Sequence, residues 1–291
     1  MLIKRFQKDM ANKKLVIYHG NCADGFSGAW CFWKLFGNDA EYFPGVYGKE
    51  PPDVTDREVF LVDFSYKRSI IEEMLKKASL MIILDHHISA INDLKDLKAD
   101  NLDTVFDVNR SGATIAWDYL FPYEPRPALL NHVEDRDLWR FKLDHTREVQ
   151  AAMFSFEYSF EKWDQLMQLD ITNNAQGYLN LIMQGEAIER KHHKDVRELL
   201  KSCTRIMNIS GVDVPVASLP YTMASDAGAI LAEGHPFAAT YYDTKDYRVF
   251  SLRSTTGIGL DVSKIAEYYG GGGHAHASGF RVNREHRLAT S

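Results

Sequence analysis

Residues 80–87 read Leu80-Met81-Ile82-Ile83-Leu84-Asp85-His86-His87, five apolar residues followed by a carboxylate and two imidazoles. An unbroken apolar run of this length fits a strand buried on both faces, the form strands take in a parallel sheet covered by helices. Working outward, residues 15–18 and 59–64 have the same build; the first runs into His19 and the second contains Asp63. Between these runs, residues 24–36 and 67–78 carry the apolar spacing of helices, the first stopped by Gly37. Strand and helix therefore alternate from Leu15 to about Leu120, which predicts an α/β domain with a doubly wound, mostly parallel sheet.

Beyond it, residues 111–170 read as mainly helical, with Ser111 as an N-cap and Pro122, Pro125 and Pro127 as breaks. Tyr178, Leu181, Ile182, Ile188, Val196, Leu199 and Leu200 recur at helical spacing in a charged stretch that ends near Cys203, and this is read as a connecting helix. Strands are expected at 214–219, 237–242 and 247–252, and helices at 227–233 and 262–269, giving a second, smaller α/β domain. The expected divisions are 1–176, 177–203 and 204–291, with a frayed polar tail after Val282.

The 291 residues, 45% of them hydrophobic, suit two domains better than one. No run of about 18 apolar residues occurs, and the opening MLIKRFQKDMANKK lacks a secretory stretch, so a cytoplasmic protein with no membrane association is expected. Cys22, Cys31 and Cys203 are too few and too scattered for a disulfide framework or a four-ligand zinc site. The net charge of -6 argues against nonspecific duplex binding. It leaves room for a short anionic substrate, because bound cations reverse the sign of a carboxylate-rich pocket.

Each of the first three strands ends in polar residues: His19 with Cys22 and Asp24, then Asp63, then Asp85, His86 and His87. Ligands of open parallel sheets bind beyond the carboxyl ends of the strands, so these clusters are expected to meet. Oxygen and imidazole donors together suit Mn²⁺, Mg²⁺ or Co²⁺ better than a thiolate metal. A fourth acidic group, Glu134-Asp135-Arg136-Asp137, is available to close the site.

The Asp85-His86-His87 run after an apolar strand resembles the signature of the DHH phosphoesterase superfamily, which includes RecJ-type exonucleases, nanoRNA and pApA hydrolases and inorganic pyrophosphatases. Far downstream, Gly270-Gly271-Gly272-Gly273-His274 resembles the glycine-rich motif of the DHHA1 substrate domain, and the likeness extends from about residue 14 to 284. The resemblance implies metal ligation by His19, Asp24, Asp63, Asp85, His86 and Asp135, with Asp63 bridging two ions and Asp85 acting as a ligand or from behind one. Asp85, His86 and His87 would be catalytic, with His87 facing the substrate phosphate or leaving group. Arg253, Ser254, Gly271, Gly272, Gly273, His274 and Ser111 would bind substrate, Ser111 reading equally well as a plain helix cap. One departure stands out: where the family has Asp-x-Asp-Gly, this chain has Cys22-Ala23-Asp24-Gly25, so Cys22 or Asn21 takes a ligand carboxylate's place and one ion or two remains open.

The implied activity is manganese-dependent hydrolysis of short oligonucleotides or linear dinucleotides by metal-activated water, with two domains closing on the substrate and a homodimer compatible. An exopolyphosphatase or pyrophosphatase activity, or a nucleotide-binding protein with an impaired site, are the alternatives. Other features have plainer readings: His192 and His193 as a solvated face, and Trp30, Phe32, Trp33 and Phe36 as core. Phe154, Phe156, Tyr158 and Phe160 read as residues buried between domains.

Overall fold

The computed structural model describes residues 14–20 and 22–290; the stretch before Lys14, from which the missing secretory segment was read, and Asn21 lie outside the described residues. The chain divides into two compact units, the first ending at Glu189 and the second starting at Arg190.

The first unit is built on β1 (Lys14–His19), β2 (Ala40–Gly45), β3 (Glu58–Val62), β4 (Leu80–Asp85) and β5 (Leu102–Phe106), all parallel, in the order β2-β1-β3-β4-β5. That order reverses direction between β1 and β3, the switch point at which open α/β sheets bind their ligands. Side chains alternate across the sheet: Val16, Phe60, Val62, Ile82 and Leu84 join one core, and Leu15, Ile17, Val59, Leu61, Met81 and Ile83 the other. The first core packs against α1 (Ala23–Phe36), α4 (Gly112–Leu120), α5 (Ala128–Asp137), α6 (Thr146–Phe154) and α7 (Phe160–Met167); the second is covered by α2 (Arg68–Leu75) and α3 (Ile88–Leu94). Helices on both faces explain why the three central strands are unbroken apolar runs, and the α/β doubly wound expectation holds.

Trp30 and Phe32 are core residues as expected, Trp30 stacked on Trp117 and Phe32 against Phe60. Phe160 and Tyr158 both stack on Phe26, so these aromatics pack inside the first unit.

The division between units falls inside α8 (Ala175–Cys203), the long helix expected as a connector. In the second unit, β6 (Thr204–Ile209), β7 (Val212–Ser218), β8 (Ala238–Asp243), β9 (Tyr247–Arg253), β10 (Gly272–His274) and β11 (Ala277–Asn283) form a mixed sheet ordered β10-β11-β9-β8-β7-β6. Its helices are α9 (Ala224–Ala232), α10 (Val262–Tyr268) and α11 (Arg287–Thr290). The tail is ordered rather than frayed: Leu288 is buried and its carbonyl accepts from Arg248 Nη1 at 3.2 Å. His192 is not a solvated residue, for its Nε2 meets the buried Asp226 carboxylate at 3.0 Å.

Candidate metal centre

Asp63 follows the last residue of β3 with φ of 55°, a left-handed conformation that costs a side-chain-bearing residue about 1–3 kcal/mol and marks functional sites. Its amide is tied to the Leu84 carbonyl at 2.9 Å, and its two carboxylate oxygens face different neighbours. Oδ1 lies 3.0 Å from His86 Nε2. Oδ2 lies 3.4 Å from His19 Nδ1 and 3.5 Å from the Cys22 sulfur. His86 Nε2 in turn lies 3.5 Å from Asp137 Oδ2 and 3.9 Å from Asp24 Oδ2. Two donor groups thus share Asp63: Asp24, Asp63 and His86 each offer an atom within 4.8 Å of the others, and so do His19, Asp63 and His87.

The N-terminus of α4 supports this cluster. Gly112 N and Ala113 N donate to the two oxygens of Asp24 at 2.6 and 3.1 Å, while Ser111 N donates to Glu134 at 3.2 Å. Gly112 is required, since a Cβ there would stand 2.4 Å from Asp63 Cβ. Ser111 is wholly buried and its hydroxyl caps Thr114 N, as the helix-cap reading has it.

The crowded carboxylates and imidazoles favour added positive charge. Burial, then repulsion from Asp63 and Asp137, pushes the Asp24 carboxyl well above the usual range. Burial disfavours the His86 imidazolium, yet its Asp63 hydrogen bond and the Asp137, Asp63 and Asp24 charges raise it to about 11. For Asp63, burial works upward, but the neighbouring His19 and His86 imidazoles, with His87 beyond them, hold it well below the carboxylate norm. Cys22 is kept a thiol, pushed up by burial and then by Asp63, Asp137 and Asp24. His19 Nδ1 is buried and makes no hydrogen bond although it lies 3.4 Å from Asp63. Two ligands about 2.1 Å from one octahedral ion sit roughly 3 Å apart, so this spacing fits co-ligation.

Asp85 is held by its own neighbours. Its Oδ1 accepts the amides of His86 and His87 at 2.7 and 3.1 Å and His87 Nδ1 at 2.7 Å, and its Oδ2 accepts the Ser65 hydroxyl at 2.8 Å. Of the two roles the resemblance allows, the geometry fits the one behind the ligands. His87 Nδ1 comes within 3.7 Å of Asp63 but is held by Asp85, which leaves Nε2 as its working atom.

Asp135 requires a correction. Its carboxylate accepts Lys142 N, Leu143 N and the Thr146 hydroxyl at 2.9, 3.0 and 2.6 Å, and the acid beside His86 is Asp137, whose side chain is 26% exposed. Two residues on a helix are about 200° apart, so only one of the pair can face the site.

In the second unit, Arg253 and His274 both stand level with Ala277, on β9 and β10, at one end of the sheet. Arg253 donates to Ser225 Oγ at 2.9 Å and to the Leu252 carbonyl at 2.8 Å, and Ser254 Oγ meets His276 Nδ1 at 2.9 Å. Gly272 and Gly273 belong to an end strand, not a free loop; at Gly271 a Cβ would fall 2.0 Å from the Gly279 carbonyl. Gly271, and Gly273 with a Cβ position 2.6 Å from the Ala277 carbonyl, are thus needed for strand packing.

No protein-family model matches the chain. It is 29% identical over 299 residues to an uncharacterized protein of Acanthamoeba polyphaga mimivirus, an alignment covering 94% of this chain and 68% of that one. Among solved structures it is similar to a pGpG-specific phosphodiesterase, PggH, from Vibrio cholerae, at 17% identity, a TM-score of 0.49 and 94% of each chain. It is also similar to CDC45 from Entamoeba histolytica, at 10% identity and a TM-score of 0.45, over 95% of this chain and 93% of that one. Among the described residues no helix is long and apolar enough to cross a membrane.

Proposed function

We propose that the chain is a divalent-metal-dependent phosphodiesterase that hydrolyses short oligonucleotides or linear dinucleotides, with manganese as its cofactor. One observation carries this reading: Asp63 turns one oxygen toward His86 and the other toward His19 and Cys22 at the switch point of the sheet. A carboxylate so shared suits two adjacent cations, of which one would be held by Asp24, Asp63, His86 and Asp137 and the other by Asp63 and His19 beside Cys22.

Bound there, divalent ions supply positive charge to offset the phosphate's own and make water acidic enough to attack near neutral pH. The protein's side chains do the remaining work. Asp85 fixes His87 through Nδ1, and the His87 imidazolium, disfavoured by burial, is favoured more strongly by Asp85 and Asp63, so its pKa is raised. Its Nε2–H is the donor suited to protonating the leaving oxygen, a role typically contributing about 10²–10⁴-fold. Arg253 and the strand Gly272–His274, which flank β11 at one end of the sheet, are assigned an anion-binding role, the first as a planar guanidinium and the second through backbone amides.

Cys22 favours a rival reading, a nucleotide-binding protein without turnover. Incubation with Mn²⁺ and pApA, an RNA 5-mer, a 20-nucleotide strand, pyrophosphate and polyphosphate separates these. Mononucleotide release from the short substrates, abolished in Asp63→Ala, is expected. Turnover of only the phosphoanhydrides would replace the substrate class, and no turnover with any divalent metal would favour the binding protein.

A further inference from the structure

Residues 138–145, between α5 and α6, follow an uncommon path: Trp139, Phe141 and His145 have φ of 54°, 48° and 66°. Bulky residues enter this left-handed region at a cost of about 1–3 kcal/mol each. The strain is contained by Asp135. Its carbonyl accepts Arg140 N and Phe141 N at 2.8 and 3.3 Å, and its carboxylate accepts Lys142 N, Leu143 N and the Thr146 hydroxyl.

What the strained loop displays is not core. Trp139 is 40% exposed and is the only exposed one of the five tryptophans. Phe141 packs edge-on to it at 4.9 Å. The Arg136 guanidinium sits 5.8 Å from the Trp139 ring and 5.0 Å from that of Phe154, which is itself 40% exposed. Arg147 lies 5.6 Å from Trp139 and 3.8 Å from Phe141. Among the described residues Arg136 has no carboxylate partner. Between residues 138 and 147 the sequence carries Arg140, Lys142 and Arg147 and one acid, Asp144, in a chain whose net charge is -6, with Arg140 also paired to Glu134 at 3.1 Å. The loop begins immediately after Asp137, and Trp139 is two residues further on, at most about 7 Å of chain away.

Exposed aromatic faces interleaved with guanidinium planes are what unpaired nucleobases and their phosphates bind. A paired duplex hides its base faces, and pyrophosphate has none. We propose that Arg136, Trp139, Phe141, Arg147 and Phe154 form a stacking platform for unpaired bases of a single-stranded substrate, adjoining the cluster around Asp63. This rests on the reading of that cluster as a phosphodiester-cleaving centre, and it assigns base recognition to the first unit.

The test is binding of a fluorescein-labelled RNA 5-mer, followed by anisotropy with EDTA present so that nothing is cleaved. Wild type is expected to bind, with Trp139→Ala and Arg136→Gln each about tenfold weaker, Trp139→Phe within about threefold because a ring remains, and a paired duplex weaker still. Thermal melts of each variant accompany the titrations. Should Trp139→Ala fail to fold, tryptophan emission decides: an unlabelled 5-mer should quench wild type and leave Trp139→Phe unquenched. No binding by the wild type, affinities unchanged in Trp139→Ala and Arg136→Gln, or equal quenching of both proteins would overturn the platform. A 5-mer that binds through Trp139 yet is never cut with Mn²⁺ would instead sink the phosphodiesterase reading and leave the platform standing.

Discussion

The Asp24 carboxylate and the Gly112 amide, 88 residues apart in sequence, meet at 2.6 Å, and Ala113 N joins at 3.1 Å. One buried side chain therefore caps α4 and lines the carboxylate and imidazole cluster, and the two roles separate by substitution. Asp24→Ala leaves two buried amides unanswered and should destabilise the protein by about 2–6 kcal/mol, from roughly 1–3 kcal/mol per orphaned group. Asp24→Asn keeps one acceptor for the two amides and sheds a charge that Asp63 and Asp137 repel, so urea unfolding in chelator should find it less destabilised than Asp24→Ala while Mn²⁺ no longer protects it. Equal losses in both variants would contradict the division.

Much of this was legible in the sequence, and the gaps have physical causes. β1, β3 and β4 are buried on both faces, so apolar runs marked them and their polar ends located His19, Asp63 and Asp85. β2 lies at the sheet edge with only Gly45 buried, and β6 follows α8 without a break and is mostly exposed, so neither offered an apolar run. Asp137 was passed over for Asp135 because the choice turns on helix phase, which two acids two residues apart leave undecided. The loop after it was unreadable as well, for positive φ at Trp139 and Phe141 runs against their residue type.

Cys22 stands where its thiol reaches Asp63 Oδ2 at 3.5 Å, and a carboxylate in that place would face the same ion. Cys22→Asp adds a negative charge to an already repulsive group, so the variant should melt below wild type in EDTA. With Mn²⁺ the order should reverse, its apparent affinity rising about tenfold, since an added charge pair near 4 Å is worth about 1–4 kcal/mol. Manganese stabilisation no greater than wild type's would place Cys22 outside the ion's reach.

Asp85 holds His87 at 2.7 Å through Oδ1, while its Oδ2 accepts from the Ser65 hydroxyl at 2.8 Å. Asp85→Asn should consequently lower kcat on the 5-mer about 10–100-fold, the usual effect of losing a carboxylate behind an active imidazole, while KM and manganese protection in a melt hold. A parallel fall in manganese affinity would make Asp85 a ligand after all.

The pH dependence of stability should carry a contribution from His132, which bridges α5 to α8. Its Nδ1 meets Thr146 Oγ1 and its Nε2 meets Tyr178 OH, each at 2.9 Å. The Thr146 hydroxyl donates to Asp135, so Nδ1–H must donate to Thr146 and Nε2 must accept from Tyr178, a neutral imidazole. Burial lowers its pKa below 6.5 in spite of Asp135. As pH falls through 6.5 the unfolded chain takes up this proton first, so stability is lost, at up to about 1.4 kcal/mol per pH unit, until the lowered folded pKa is reached. Urea midpoints in chelator at about pH 7.5 and about pH 5.5 should show a larger acid loss in wild type than in His132→Gln, which has no proton to take up. The raised His86 and His87 slope the other way but are common to both proteins and cancel in the comparison. Identical losses would mean that His132 is already protonated in the folded state, with Tyr178 accepting and not donating.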